Sequence, residues 1–351
     1  MANFGPKDIK KLRETTSAGM MDCKNALKET DGDFDAAIAW LREKGLGAAA
    51  KKAGKVAAEG VVSIQVADNK AVIVEINSQT DFVAQNDTFK AVVAEITNHA
   101  FENNLADAEA INTSKINGQS FADHLSLQIA TIGENLVVRR AGMIASDDET
   151  VAINGYVHAN SRVAVLLGAK CDDVQTAKKV AIELKNIAMH AAAMSPSTLS
   201  YKDFDPQFVA DETAGRIEKI KKENEELVRL KKPLKNVPQY VSMMQLTEEV
   251  LAEAKTAIEA ELASEGKPEK IWDRIVPGKV ARFISDNTLL DQELALLDQK
   301  YVMDDSVTVA EHIEKFSNGK ATITDFIRLE VGEGIEVEEE DFAAEVASQM
   351  G

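Results

Sequence analysis

The chain has 351 residues, of which 45% are hydrophobic, so it is too long for one compact core and predicts two or three domains. No apolar run approaches the roughly 18 residues that a membrane-spanning helix needs, and the first residues lack the basic and then apolar order of a signal peptide. Cys23 and Cys171 form no metal or redox spacing. These features predict a cytoplasmic protein without a membrane partner.

The net charge of −18 is unevenly spread along the chain. Up to Lys55 there are 11 Lys and Arg against 8 Asp and Glu, a net charge of +3, so the remainder carries −21. An acidic body repels phosphate backbones, which counts against direct nucleic-acid binding as the main activity. It suits contact with a protein that has a basic surface, and it also serves simply to keep a protein soluble.

The first 45 residues predict a module of three short helices, each with an apolar face at helical spacing. We expect the first helix to end near Gly19 and the third at Gly45, because glycine is the residue type best suited to a left-handed helix stop. Met20 and Met21 lie in the turn between the first two helices. Methionines at such a turn serve either as core filler or as adaptable contact residues.

A hairpin followed by helix patterns occurs twice in the middle of the chain, which predicts two similar α+β subdomains. The first hairpin covers residues 60–76, and its second helix is expected to stop at Ile132–Gly133. The second hairpin lies within 151–169, and a helix pattern over 173–192 follows it.

The turn after the first hairpin places an acid beside a bulky aromatic residue, Asp81 and Phe82. Turns at strand ends usually carry small polar residues, which solvate the backbone and tolerate unusual dihedral angles. A phenylalanine there either packs into the core of its own chain or meets a partner. The residues alone leave both interpretations open.

Residues 206–265 contain two amphipathic runs separated by the segment 233–238, which begins and ends with proline. This pattern predicts an antiparallel helical hairpin of coiled-coil type, with Asn224 in the seam. Such a hairpin exposes more surface than its narrow core needs, so it is a candidate surface for self-association or for another partner. The tail after Gly332 holds acids and no base, and Phe342 lies on the apolar face of a short helix pattern.

The chain lacks the sequence motifs of common catalytic sites. It has no phosphate-binding Gly-x-x-x-x-Gly-Lys-Ser/Thr loop, no His-Glu-x-x-His zinc motif and no Gly-x-Ser-x-Gly nucleophile motif. Its five histidines are dispersed. We therefore expect a protein that is not an enzyme and that needs no metal or cofactor.

Six blocks of sequence follow one another in an order that is specific as a set. They are Leu12–Lys24, Asn77–Ala84, Ile132–Asn135, Ile187–His190, Phe326–Glu336 and Asp341–Val346. With these blocks the chain resembles the elongation factor Ts family, the bacterial nucleotide-exchange factors for elongation factor Tu. The resemblance spans nearly the whole chain. Its main departure is the hairpin segment, which is longer here than in the best-known members.

This resemblance implies an α+β fold with five parts and antiparallel sheets. The parts are a three-helix ubiquitin-associated-like domain (1–55), core subdomain N (56–141), core subdomain C (142–199 and 268–331), an inserted antiparallel coiled-coil hairpin (200–267) and a C-terminal helical module (332–351).

The resemblance also implies a translation elongation factor that binds elongation factor Tu carrying GDP. The segment of Thr80, Asp81, Phe82 and Val83 would enter the partner near its magnesium and phosphate site, promote GDP release and allow GTP to rebind. The other partner contacts that it implies are Arg13, Met20, Met21, Ile132, Gly133, His158 and Phe342.

Two other classes of function are compatible with parts of the sequence. One is a coiled-coil adaptor with a ubiquitin-associated-like domain and no exchange activity. The other is an RNA-binding translation factor, against which the acidic body and the lack of a basic, aromatic-rich face both count. Release of labelled GDP from elongation factor Tu separates the three.

Overall fold

The computed structural model describes residues 4–16, 18–67 and 69–336. The chain has an α+β fold and divides into two compact units. Of the described residues, the first unit comprises those up to 168, residues 181–192 and residues 327–336, and the second comprises 169–180 and 193–326. Among the described residues, no helix is both long and apolar enough to cross a membrane.

Both predicted hairpins are present, and helices follow each of them. In chain order the helices and strands are α1 (Pro6–Thr16), α2 (Met20–Glu29), α3 (Phe34–Lys52), β1 (Glu59–Ala67), β2 (Lys70–Ser78), α4 (Asp81–Gln85), α5 (Asp87–Glu102), α6 (Ala108–Thr113), β3 (Lys115–Ile116), β4 (Gln119–Ser120), α7 (Phe121–Ile132), β5 (Val137–Ala145), β6 (Val151–Val157), β7 (Val163–Cys171), α8 (Val174–Met194), α9 (Pro206–Arg229), α10 (Glu248–Ser264), α11 (Trp272–Asp286), α12 (Leu289–Leu294), β8 (Lys300–Tyr301), β9 (Asp304–Thr308), α13 (Val309–Ser317) and β10 (Ala321–Glu330).

The N-terminal helices form the expected module, with one correction. Leu12, Cys23 and Leu27 are fully buried in its core. The predicted stop at Gly45 is wrong, because α3 continues to Lys52. Gly45 instead lies against α7, where a Cβ atom would come within 3.0 Å of Leu127 Cδ2. The glycine therefore allows close packing of two helices rather than ending one.

The strand β2 is the centre of the first sheet, which has the order β1-β2-β5 with antiparallel pairing. Because side chains alternate along a strand, β2 supplies two cores. Val72, Val74 and Ile76 pack with α5 and α7 residues on one face. Ala71 and Ile73 pack in a second cluster on the other face. Every residue of β2 from Ala71 to Ser78 is buried, which makes this strand a rigid base for the turn that follows it.

A buried carboxylate joins the first sheet to the end of β10. Glu75 lies in the middle of β2 and accepts hydrogen bonds from Arg139 Nη1 at 3.2 Å and Arg140 Nε at 2.5 Å. Its Oε1 also accepts from the backbone amide of Gly332 at 2.9 Å. The two arginines compensate for burying the charge of Glu75. The bonds from Gly332 to Glu75 and from Arg140 to the Glu330 carbonyl fix the chain at 330–333 to β2 and β5.

In the second unit the helical pairing differs from the expectation. α10 packs chiefly against α11, where Glu261 pairs with Lys279 at 2.9 Å. α9 is held by the chain that follows it, because the Asn224 side chain bonds both the N–H and the C=O of Lys235 at 2.8 Å. Asn224 thus fixes the register of a return segment that is not helical there.

The second sheet has the strand order β10-β7-β6. The segment 200–267 shares its core with later residues of the same unit, since Phe204, Val209 and Val241 pack with Leu290 and Ala295.

Candidate partner-binding site

The residues that follow β2 form a short helical turn from which two side chains project. Thr80 is the N-cap of α4, and its hydroxyl accepts a hydrogen bond from the Val83 amide at 3.3 Å. Asp81 is exposed, and Phe82 is 83% exposed. Val83 packs against the core beneath. Phe82 is therefore not a core residue, which removes one of the two interpretations that its sequence position left open.

The carboxylate of Glu134 holds this turn in place. Its Oε2 accepts from the backbone amides of Gln79 and Thr80, each at 3.1 Å, and its Oε1 accepts from the Thr80 hydroxyl at 2.7 Å. The Ser78 hydroxyl donates to the Thr80 carbonyl at 3.1 Å. We call residues Gln79–Val83 the Gln79–Val83 turn. Glu134 was not among the predicted site residues, although it stands directly after Ile132 and Gly133 in the chain.

Ile132 and Gly133 lie at the end of α7, next to the residue that holds the turn. Gly133 caps the helix with a φ of 87°, and nothing lies within 4 Å of a Cβ atom placed on it. This left-handed backbone favours glycine, and it redirects the chain so that Glu134 reaches the Gln79–Val83 turn. Ile132 is half-buried against the core. The structure thus brings Ile132 and Gly133 together with Thr80–Val83.

The end of α7 also approaches the start of α2. A Cβ atom on Gly19 would come within 3.7 Å of the Thr131 side chain. Met20 and Met21 follow directly, and these residues are 55% and 64% exposed. The core-filler interpretation of these methionines therefore fails. Their exposed apolar atoms lie at the same end of α7 as the Gln79–Val83 turn.

Arg13 is exposed and shares a shallow cleft with Met20, on the side of the module that faces α5. Glu95 of α5 lines the same cleft. His124 Nε2 lies 3.5 Å from the Glu95 carboxylate, and the interaction with His124 holds the pKa of this carboxyl below its ordinary value.

His158 is exposed on the connection between β6 and β7. Its ring lies 5.9 Å from that of Tyr156, measured between centroids. A groove separates this connection from α4, lined by Gln85 on one side and by Asn160 and Ser161 on the other. The connection that carries His158 therefore lies across this groove from the end of α4. Phe342 lies outside the described residues.

The described part of the chain contains no group of three or more His, Cys, Asp or Glu arranged to hold a metal ion. The fold and the site define an α+β protein in which a turn with an exposed acid and an exposed phenylalanine projects from the end of a buried strand. Two exposed methionines at the start of α2 lie near the end of α7.

Comparison with known proteins identifies the family. Residues 79–237 and 235–333 match the family model described as Elongation factor TS. The chain is 70% identical over 353 residues to the elongation factor Ts of Sulfurovum sp. (strain NBC37-1) and 55% identical over 353 residues to that of Aliarcobacter butzleri (strain RM4018), with 100% of both chains covered in each case. It is 49% identical over 356 residues to the elongation factor Ts of Helicobacter hepaticus (strain ATCC 51449 / 3B1), again over 100% of both chains. The chain belongs to the elongation factor Ts family and is a translation elongation factor.

Proposed function

We propose that the chain is a guanine nucleotide exchange factor for elongation factor Tu. It binds the partner carrying GDP and inserts Thr80–Val83 near the magnesium and phosphate site. GDP then leaves and GTP rebinds. The observation that carries this proposal is the 83% exposure of Phe82 on a turn whose backbone is fixed on both sides. A large apolar side chain held in solvent gains its burial free energy only when a partner covers it.

The mechanism is mechanical and electrostatic. A bound nucleoside diphosphate is held by magnesium, by the amides of a phosphate-binding loop and by contacts to its base. Insertion of Phe82 displaces partner helices, while Asp81 brings a negative charge toward the magnesium environment. Factor and nucleotide then bind with unfavourable coupling. Because that coupling is reciprocal, incoming nucleotide expels the factor.

The remaining partner contacts are proposed on the same face. Met20, Met21 and Arg13 contact the nucleotide-binding domain, as does the tail through Phe342. Ile132, Gly133 and His158 contact the partner from the core. The factor catalyses no bond change, needs no cofactor, binds no nucleic acid directly and acts in the cytoplasm.

Release of fluorescently labelled GDP from elongation factor Tu tests the proposal. We expect the parent chain to accelerate release and Asp81→Asn to accelerate it less. The control variant is Ile182→Ala. Ile182 is an exposed apolar residue, at 72%, as Phe82 is, and it lies outside the proposed contacts. Binding to elongation factor Tu without accelerated release would contradict the proposal and favour an adaptor.

A further inference from the structure

We infer that Glu134 is a positioning residue for nucleotide exchange: its carboxylate fixes the Gln79–Val83 turn before the partner arrives. This inference rests on the proposed function and adds to it the group that sets the pose of Phe82. Three donors converge on the one carboxylate, the amides of Gln79 and Thr80 and the Thr80 hydroxyl.

The end of the sheet explains why these donors need such an acceptor. The pairing of β2 with β5 ends at Asn77, and its pairing with β1 ends at Ser78. The next two amides therefore lie beyond the ladder, in a part-buried position where an unpaired N–H is costly. Glu134 accepts from both amides and so continues the order of the sheet into the turn.

The same carboxylate also fixes the cap of α4. The Thr80 hydroxyl donates to Glu134 and accepts from the Val83 amide, so its single hydrogen has a defined direction. This arrangement orients the first turn of α4, from which Phe82 projects. Preorganisation of this kind reduces the ordering cost that must be met when Phe82 enters a partner.

Glu134→Gln is the sharpest substitution because it keeps the length of the side chain. It replaces one acceptor oxygen by an NH₂ group. That NH₂ must face either the two amides, donor against donor, or the Thr80 hydroxyl, whose hydrogen then has to turn away. Either arrangement breaks the set of three bonds and removes the negative charge.

The functional measurement is the rate of labelled GDP release as a function of factor concentration. We expect Glu134→Gln to lower the maximal rate by about ten-fold, which corresponds to about 1.4 kcal/mol, close to the lower end of what one hydrogen bond to a charged group contributes. The half-saturating concentration should stay within about two-fold, because the other contacts still form the encounter complex. Glu149→Gln, an exposed acid in the connection between β5 and β6, should leave both quantities unchanged.

A structural measurement separates positioning from general stability. Hydrogen exchange followed by NMR should show loss of protection at the amides of Gln79 and Thr80 in Glu134→Gln, with the amides of Val72 and Val74 in β2 unchanged. Thr80→Val should give a partial effect of the same kind, and Thr80→Ser should restore the parent behaviour because it keeps the hydroxyl.

The outcomes are distinct. An unchanged maximal rate in a folded Glu134→Gln protein, or undiminished protection of the two amides, would overturn the inference. Equal loss of protection throughout β2 would also overturn it, since the role would then be general stability. If the parent chain fails to accelerate release, the proposed function is wrong. The hydrogen-exchange measurement then still decides whether Glu134 holds the turn.

Discussion

At the scale of single residues, Asp298 carries a built-in pH dependence. Desolvation by burial raises its pKa from the ordinary 3.8 to about 6, and the nearby charge of Asp291 acts in the same direction. The native state therefore binds more protons than the unfolded state between these values. Its stability is highest below about pH 4 with respect to this group and falls as the pH rises through 6.

Asp298→Asn should remove this loss of stability at higher pH. The amide keeps an acceptor oxygen for the Tyr201 backbone N–H, which donates to Asp298 at 3.3 Å, and it carries no charge. We expect the variant to be more stable than the parent at pH 8 by about 1–2 kcal/mol, a figure reduced for partial solvent screening, and to match it near pH 4. Chemical denaturation at both pH values measures this. The exposed Asp305→Asn is the control, and an equal gain at both pH values would contradict the assignment.

At the scale of elements, the packing of α3 on α7 depends on one absent side chain. A Cβ atom at Gly45 would lie 3.0 Å from Leu127 Cδ2 and 3.4 Å from the Leu127 backbone nitrogen. Arg42 and Asp123 join the same two helices at 2.8 Å, which limits how far they can separate. Gly45→Leu should therefore cost about 1–3 kcal/mol of stability through overpacking.

Gly47 in the same helix provides the matched control. Nothing lies within 4 Å of a Cβ atom placed there, and the position is helical. Gly47→Leu should therefore raise the melting temperature slightly, because leucine has the better helix propensity by about 0.5–1 kcal/mol. Equal melting temperatures for Gly45→Leu and Gly47→Leu would contradict the packing account.

The sequence patterns predicted where the helices and strands lie better than they predicted which of them pack together. The helix pattern expected after the first hairpin is confirmed in α5, where Phe89, Val93 and Ile96 are buried and the Asn86 side chain accepts from the Thr88 amide. Gly45 was misread since a glycine that ends a helix and one that admits a neighbouring helix look alike in sequence. The apolar run of α10 likewise shows that one face of the helix packs, but it does not show that α11 is the main partner of that face.

The candidate site was predictable only in part. The resemblance supplied Thr80–Val83 and the residues around them, and the hairpin pattern of residues 60–76 predicted the strand beneath them. Glu134 could not be found this way, because its bond to the Thr80 hydroxyl joins residues 54 positions apart. Such a contact follows from the fold and leaves no periodic signal.

At the scale of the whole molecule, shortening the tail should affect partner binding without affecting stability. Glu333 is fixed to the body, because its carboxylate pairs with Arg140 at 2.9 Å and its carbonyl accepts from Arg139. A chain that ends at Glu336 keeps these bonds and loses the proposed partner contact at Phe342. We expect its thermal melt to match the parent and its half-saturating concentration in GDP release to rise.

Loss of the cooperative melt in the shortened chain would instead assign residues 337–351 to the core. The division of the chain at 55, 141, 199, 267 and 331 stays a prediction, as does self-association through the segment 200–267. Sedimentation of the parent at several concentrations tests the self-association.

The central claim is that Phe82 acts on a partner and contributes little to the stability of its own chain. The most direct measurement is Phe82→Ala, followed in parallel by thermal melting and by labelled GDP release from elongation factor Tu. Because Phe82 is 83% exposed, stability should change by no more than about 0.5 kcal/mol. GDP release should fall by about ten-fold or more. A variant that melts about 3–5 kcal/mol below the parent, as buried aromatic truncations do, yet releases GDP at the parent rate while folded, would contradict the account.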